Sequence, residues 1–120
     1  MITAEFAQAF AEEWIAAWNS GDLDRILSHY TDDFEMRSPF IVQKMNEPSG
    51  ILRGKEAIRP YWTKGLGGEP KLHFELDRVF AGADSVAILY RNNRAGMVVE
   101  VIFFNEAREA IRGVAHYQSV

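Results

Sequence analysis

The chain has 120 residues, a formal net charge of −4 and no cysteine, which suits one hydrophobic core and leaves no room for a second. Without thiols, disulfides, thiolate metal ligands and a cysteine nucleophile are excluded, and the scattered Lys and Arg argue against nucleic acid or an anionic membrane as partner. No apolar run approaches the roughly 18 residues of a membrane span, and no basic stretch precedes an apolar one at the N-terminus. The expectation is a single domain over residues 1–120, located in the cytoplasm.

From Thr3 to Asn19, Phe6, Phe10, Trp14 and Ala17/Trp18 recur every three or four positions, the stripe of a helix facing a core. Thr3 supplies its cap and Gly21 its left-handed stop. Asp22 can then cap a short second helix, Leu23 to Tyr30, with Ile26, Leu27 and Tyr30 inward. Thr31-Asp32-Asp33 reads as the turn that ends it, and Phe34 to Ser38 alternates as a strand until Pro39. The turn-rich segment that follows predicts a long loop, Phe40 to Leu52, in which Ile41, Met45 and Ile51 could fold over a cavity as a lid. A third helix runs from Gly54 to about Leu66, with Ile58, Tyr61, Trp62 and Leu66 on one side and a kink expected at Pro60.

Beyond Gly67-Gly68 the period changes to two. Leu72, Phe74 and Leu76 form one alternating set; Val86, Ile88 and Tyr90 a second; Val99, Val101 and Phe103 a third; and Ile111, Gly113, Ala115 and Tyr117 a fourth. Gly82-Ala83-Asp84, Ala95-Gly96 and Glu106 to Glu109 supply the turns of an antiparallel meander. Helices followed by a run of strands make the class α+β.

Particular residues carry a resemblance. Trp14 through Asp24, with its aromatic helix and Ser20-Gly21-Asp22 turn, the acidic stretch Tyr30-Thr31-Asp32-Asp33-Phe34, the helix opening Leu52-Arg53-Gly54-Lys55-Glu56-Ala57-Ile58 and the strand Arg112-Gly113-Val114-Ala115-His116-Tyr117 are similar to the nuclear transport factor 2-like (SnoaL-like) family in order and spacing. The resemblance implies a cone-shaped, curved antiparallel sheet wrapped around three N-terminal helices, the cystatin-like architecture. It does not extend to ketosteroid isomerase chemistry, which needs a carboxylate base before a proline, a tyrosine on the first helix and a protonated aspartate on a late strand. The matching positions read Ser38, Trp14 and Phe103. None can play those roles.

Taken at face value, the alternation lines an apolar, aromatic ligand pocket with Trp14, Trp18, Tyr30, Met36, Ser38, Tyr61, Trp62, Phe74, Ile88, Tyr90, Asn92, Val101, Phe103 and Tyr117, with Phe34, Leu76 and Val99 in the same phase. Tyr90, Asn92 and Ser38 are its polar groups, able to polarise a carbonyl; a turn role is the alternative for Asn92. Arg37, Arg91 and Glu100 fall on the opposite phase and read as surface charges. His73 and His116 also point outward, and His29 sits at a helix end where the dipole favours positive charge. No metal-ligand spacing and no phosphate-binding glycine loop occurs, so no cofactor or metal is expected.

Ile102, Phe104 and Val114 then form an apolar outer sheet face, which, with the habit of this fold's relatives, suggests a homodimer. Two functions fit. One is a SnoaL-like protein that binds an apolar small molecule, with cyclase, isomerase or hydrolase activity left open because no inward carboxylate or histidine is expected. The other is a non-catalytic interaction or assembly module using the outer sheet face.

Overall fold

The computed structural model describes residues 1–119 as four helices and one curved six-stranded sheet. Helix α1 (Ala4–Ser20) starts where the Thr3 hydroxyl accepts from the Phe6 amide and stops at Gly21, whose φ of 73° suits glycine. It buries Trp14, Ala17 and Trp18. Asn19, near its end, exchanges two hydrogen bonds with the backbone of Phe74, at 2.9 and 2.7 Å. That clamp sets the tryptophans of α1 against the sheet.

Helix α2 (Leu23–Leu27) is shorter than the expected Leu23 to Tyr30. Tyr30 instead opens strand β1 (Tyr30–Arg37) by pairing with Ala110. Asp32 and Asp33 therefore lie exposed in an irregular part of β1, where its register against β6 shifts, and not in a turn. The loop expected from Phe40 to Leu52 is also corrected. Ser38 caps a helix α3 (Pro39–Met45), with proline at its first turn, and strand β2 (Ile51–Arg53) pairs back on β1. Helix α4 (Lys55–Leu66) contains Pro60 and buries Ile58, Tyr61 and Trp62.

Strands β3 (Phe74–Ala81), β4 (Ser85–Asn92), β5 (Gly96–Phe104) and β6 (Ala110–Tyr117) form the expected meander. The spatial order is β2-β1-β6-β5-β4-β3, antiparallel throughout except for the parallel pair β1 and β6. The concave side closes over the helices, and the core lies between them.

One strand is out of phase with the expectation. On β5 the buried residues are Val98, Glu100, Ile102 and Phe104, whereas Val99 is exposed and Val101 and Phe103 are half-buried on the convex side. The cause is the β4–β5 turn. A two-residue turn at Ala95-Gly96 would set Tyr90 opposite Val101, but Asn92 pairs with Gly96 across the three residues Asn93 to Ala95, which sets Tyr90 opposite Val98 and Ile88 opposite Glu100. Directly opposed residues share a face, so a slip by an odd number of residues moves every side chain of the strand to the other side. Val101 and Phe103 thus leave the interior, and the Arg112 guanidinium covers the Phe103 ring at 5.5 Å.

The same inversion removes the dimer face as expected. Ile102 (0 % exposed) and Phe104 (6 %) are core residues of this chain, and only Val114 of that trio lies on the convex side. The convex side holds one buried carboxylate, Glu35, ringed by Arg37, Arg53 and Arg112. Burial by itself would raise its pKa, but the hydrogen bond from Arg37 and the three nearby positive charges outweigh that and hold it below the ordinary range.

Candidate active site

Aromatic packing leaves a cavity of about 270 Å³ between the helices and the concave side of the sheet. Trp14 and Trp18 reach it from α1, Met36 from β1, and Tyr61 and Trp62 from α4. Phe74, Tyr90, Asn92 and Tyr117 line it from β3, β4 and β6. The rings support one another: Trp14 meets Tyr90 edge-on at 5.2 Å, Trp18 meets Trp62 at 5.1 Å, and Phe74 lies 4.5 Å from Tyr90.

The other residues expected in the lining sit elsewhere. Tyr30 lies behind Trp14, whose indole N–H donates to its hydroxyl at 3.0 Å. Ile88 is fully buried, its Cα opposite that of Glu100. Ser38 borders a shallow groove beside α3 and works indirectly: its Oγ accepts from the Tyr61 hydroxyl at 3.1 Å. Val101 and Phe103 face away. Asn92 does both things considered for it, since it reaches the cavity while its Oδ1 accepts from the Arg94 amide within the turn.

The decisive residue is Glu100, expected on the surface and found 3 % exposed in the cavity wall. The residue beside it on β6 is Ala115, and a Cβ added to nearby Gly113 would stand 3.7 Å from Glu100 Oε2 and 3.2 Å from Met36 Sδ. Small residues there leave room for the carboxyl group. The Tyr90 hydroxyl donates to Glu100 Oε1 at 3.3 Å. Burial, only partly offset by that hydrogen bond, pushes the Glu100 pKa up to about 7. A carboxyl in this state is divided between acid and base near neutral pH, the condition proton transfer requires.

Around it the four tyrosines of the chain, Tyr30, Tyr61, Tyr90 and Tyr117, are all raised, first by burial and then by the Glu100 charge among other neighbours, Tyr61 to about 12. They stay protonated and act as donors. Tyr61, Tyr90 and Tyr117 line the cavity; the first two donate to Ser38 and Glu100, and the Tyr117 hydroxyl can stabilise negative charge on a bound oxygen.

His73 and His116 are exposed, as expected. His29 is half-buried near Phe10 and Glu13, and burial lowers its pKa against the pull of Glu13, so it favours the neutral imidazole over the positive form expected from its place at the end of a helix. No group of three potential metal-ligating side chains gathers among the described residues. No helix among them is long and apolar enough to cross a membrane.

Glu100, Phe40, Lys44, Lys64, Leu72 and Arg94 also belong to the lining and were not among the residues expected there. A signal for Glu100 did exist. Asn92-Asn93-Arg94-Ala95-Gly96 suits a three-residue hairpin loop as well as a two-residue one, and only the longer loop puts Glu100 beneath Tyr90.

In solved structures, a SnoaL-like protein of unknown function from Burkholderia thailandensis E264 shares 52% identity over 98% of both chains, with a TM-score of 0.93. The epoxide hydrolase/cyclase-like enzyme SalBIII, studied for pyran ring formation in the polyether salinomycin, shares 20% identity over 99% of this chain and 95% of its own, with a TM-score of 0.77. A nuclear transport factor 2-like protein of unknown function from Cytophaga hutchinsonii ATCC 33406 shares 15% identity over 98% and 92%, with a TM-score of 0.68. At these last two identities the likeness is one of fold. Curated proteins yield no significant match. The SnoaL-like domain family matches residues 11–119, nearly the whole length, and the chain belongs to that family.

Proposed function

We propose that this chain is an enzyme that moves a proton on a compact hydrophobic substrate, a reaction of the cyclase, isomerase or hydrolase type, with Glu100 as the group that takes and returns the proton. The observation that carries this reading is a buried carboxyl with a pKa of about 7 in the wall of an aromatic cavity. Burial among apolar rings removes water that would compete for the proton, the Tyr90 hydroxyl orients the carboxyl by donating to Glu100 Oε1, and the protonated Tyr117, which lines the same cavity, can donate to an oxygen that gains charge as the proton leaves carbon. The substrate class follows from the walls. Tryptophan, phenylalanine and methionine accept an apolar ring or chain, and the polar groups near Glu100 suit one carbonyl, epoxide or hydroxyl.

The test is a thermal-shift screen of cyclic and aromatic carbonyl compounds, followed by incubation of each stabilising compound in D₂O. Exchange of the C–H beside the carbonyl, seen by proton NMR and lost in Glu100→Gln, is the expected result. Stabilising compounds that show no exchange, or exchange that survives the substitution, would remove Glu100 from the chemistry.

The reading includes a homodimer formed through the apolar residues that do face outward, Leu89, Val99, Val101, Phe103 and Val114. Val101→Glu is expected to sediment as a monomer where the unmodified chain sediments as a dimer. Identical sedimentation of the two would discard that interface.

A further inference from the structure

The cavity is charged at both ends with opposite sign. Glu100 is sealed in the wall, while Lys44, Lys64 and Arg94 line the same cavity and are exposed to solvent, which puts them at its rim. These are all the charged residues of the lining: one acid inside and three cations at the opening of a chain with net charge −4. A hydrophobic cavity that served neutral ligands alone would gain nothing from such an opening.

The two lysines arrive there by construction. Lys44 stands in the last turn of α3 and Lys64 in the last turn of α4, and Lys64 Nζ donates to the carbonyl of Lys44 at 2.9 Å, tying the two helix ends together. One of its three donors is used in this way, and the others have no partner among the described residues. Neither lysine has a carboxylate within ion-pair distance among the described residues, although seven other lysine and arginine side chains do: Arg25, Arg37, Arg53, Lys55, Arg59, Arg78 and Arg112. Arg94 differs from them, because its guanidinium donates to the carbonyls of Gly65, Gly67, Gly68 and Pro70 and holds the segment after α4 in place. It contributes positive charge to the rim but few donors.

We propose that the substrate carries an anionic group, a carboxylate at the end remote from the reacting centre, which Lys44 and Lys64 engage while the apolar body fills the cavity. This rests on the proposed function and narrows its substrate class to compact aryl or cycloalkyl carboxylic acids. Opposite polarity at the two ends also sets orientation: an acid group entering first would meet the Glu100 carboxylate, so the substrate enters with its apolar end leading and its reacting carbon reaches Glu100.

The experiment pairs each of a panel of aryl and cycloalkyl carboxylic acids with its own primary amide and measures binding by calorimetry. The chain as it stands is compared with the double variant Lys44→Met, Lys64→Met. Both lysines are exposed, and an unchanged melting temperature confirms that the variant is folded. For the unmodified chain, the acid is expected to bind about tenfold more tightly than its amide at low salt, an advantage that the double variant loses and that 0.5 M NaCl reduces. Acids and amides binding equally, or an acid preference that persists in the variant, overturns the anionic-end inference and leaves the apolar pocket standing. Failure of every acid and every amide to bind overturns the pocket reading and this inference with it.

Discussion

Glu100→Gln is expected to lower kcat/KM at pH 7 by about 10²- to 10⁴-fold, the usual contribution of a positioned proton-transfer group. Glutamine matches the shape and can still meet Tyr90, so substrate binding changes little and the loss falls on kcat. The pH profile gives a second readout. A base must be ionised, so kcat/KM should rise with pH and reach half its plateau near pH 7. In the glutamine variant that inflection disappears. An inflection that persists, or a loss confined to KM, would assign the proton to another group.

The same substitution is expected to make the protein more stable. Burial places the pKa of Glu100 at about 7, above the ordinary value of 4.5, so the folded chain holds this proton more tightly than the unfolded chain does. Its contribution to stability is complete below pH 4.5, fades as pH rises, and is gone above about 7. The difference is about 3 kcal/mol between pH 4.5 and 7, and Glu100→Gln should flatten that part of the curve and melt at a higher temperature than the unmodified chain at pH 8. Denaturant titrations at pH 5 and pH 8 check both statements. A residue that costs stability at working pH and yields activity is what a buried catalytic carboxyl should be.

Trp14→Ala is expected to cost about 3–5 kcal/mol, the range for deleting a large buried aromatic side chain. The indole is 1 % exposed, packs on Phe74 at 5.8 Å and on Tyr90 at 5.2 Å, and donates to Tyr30. Alanine would leave a void at the junction of α1 with the sheet and a tyrosine hydroxyl without its donor. A fall in melting temperature of roughly 10–20 °C follows for a domain of this size. Trp14→Phe, which retains much of the volume but not the N–H, should cost about 1–2 kcal/mol. If alanine and phenylalanine cost the same, the hydrogen bond to Tyr30 and not the packing would be the dominant contribution.

Much of the fold was legible because local patterns and tertiary demands agree. The helical stripe of Phe6, Phe10, Trp14 and Trp18 has one apolar side, so it can face only one way, and in β4 the polar Ser85 and Arg91 mark the outward phase and leave Val86, Ile88 and Tyr90 inward. The α3 helix is not legible in the sequence because it is short and begins at proline, where its stability comes from the Ser38 cap and from burying Ile41 and not from periodicity. The spacing of Tyr30 from Ile26 is helical and favours α2, while pairing with Ala110 places it in β1.

By itself, then, the amino-acid sequence determined the α+β class, the order of elements and the aromatic character of the interior, since each depends on patterns that a segment carries within itself. The chemistry of the cavity was decided only by the tertiary structure. Met97 to Phe104 is apolar on both phases apart from Glu100, so hydrophobicity alone sends the single charge outward. Pairing Asn92 with Gly96 overrules that preference: the many ladder bonds and buried contacts of β4 and β5 outweigh the cost of burying one carboxyl, a cost reduced by holding its proton near neutral pH.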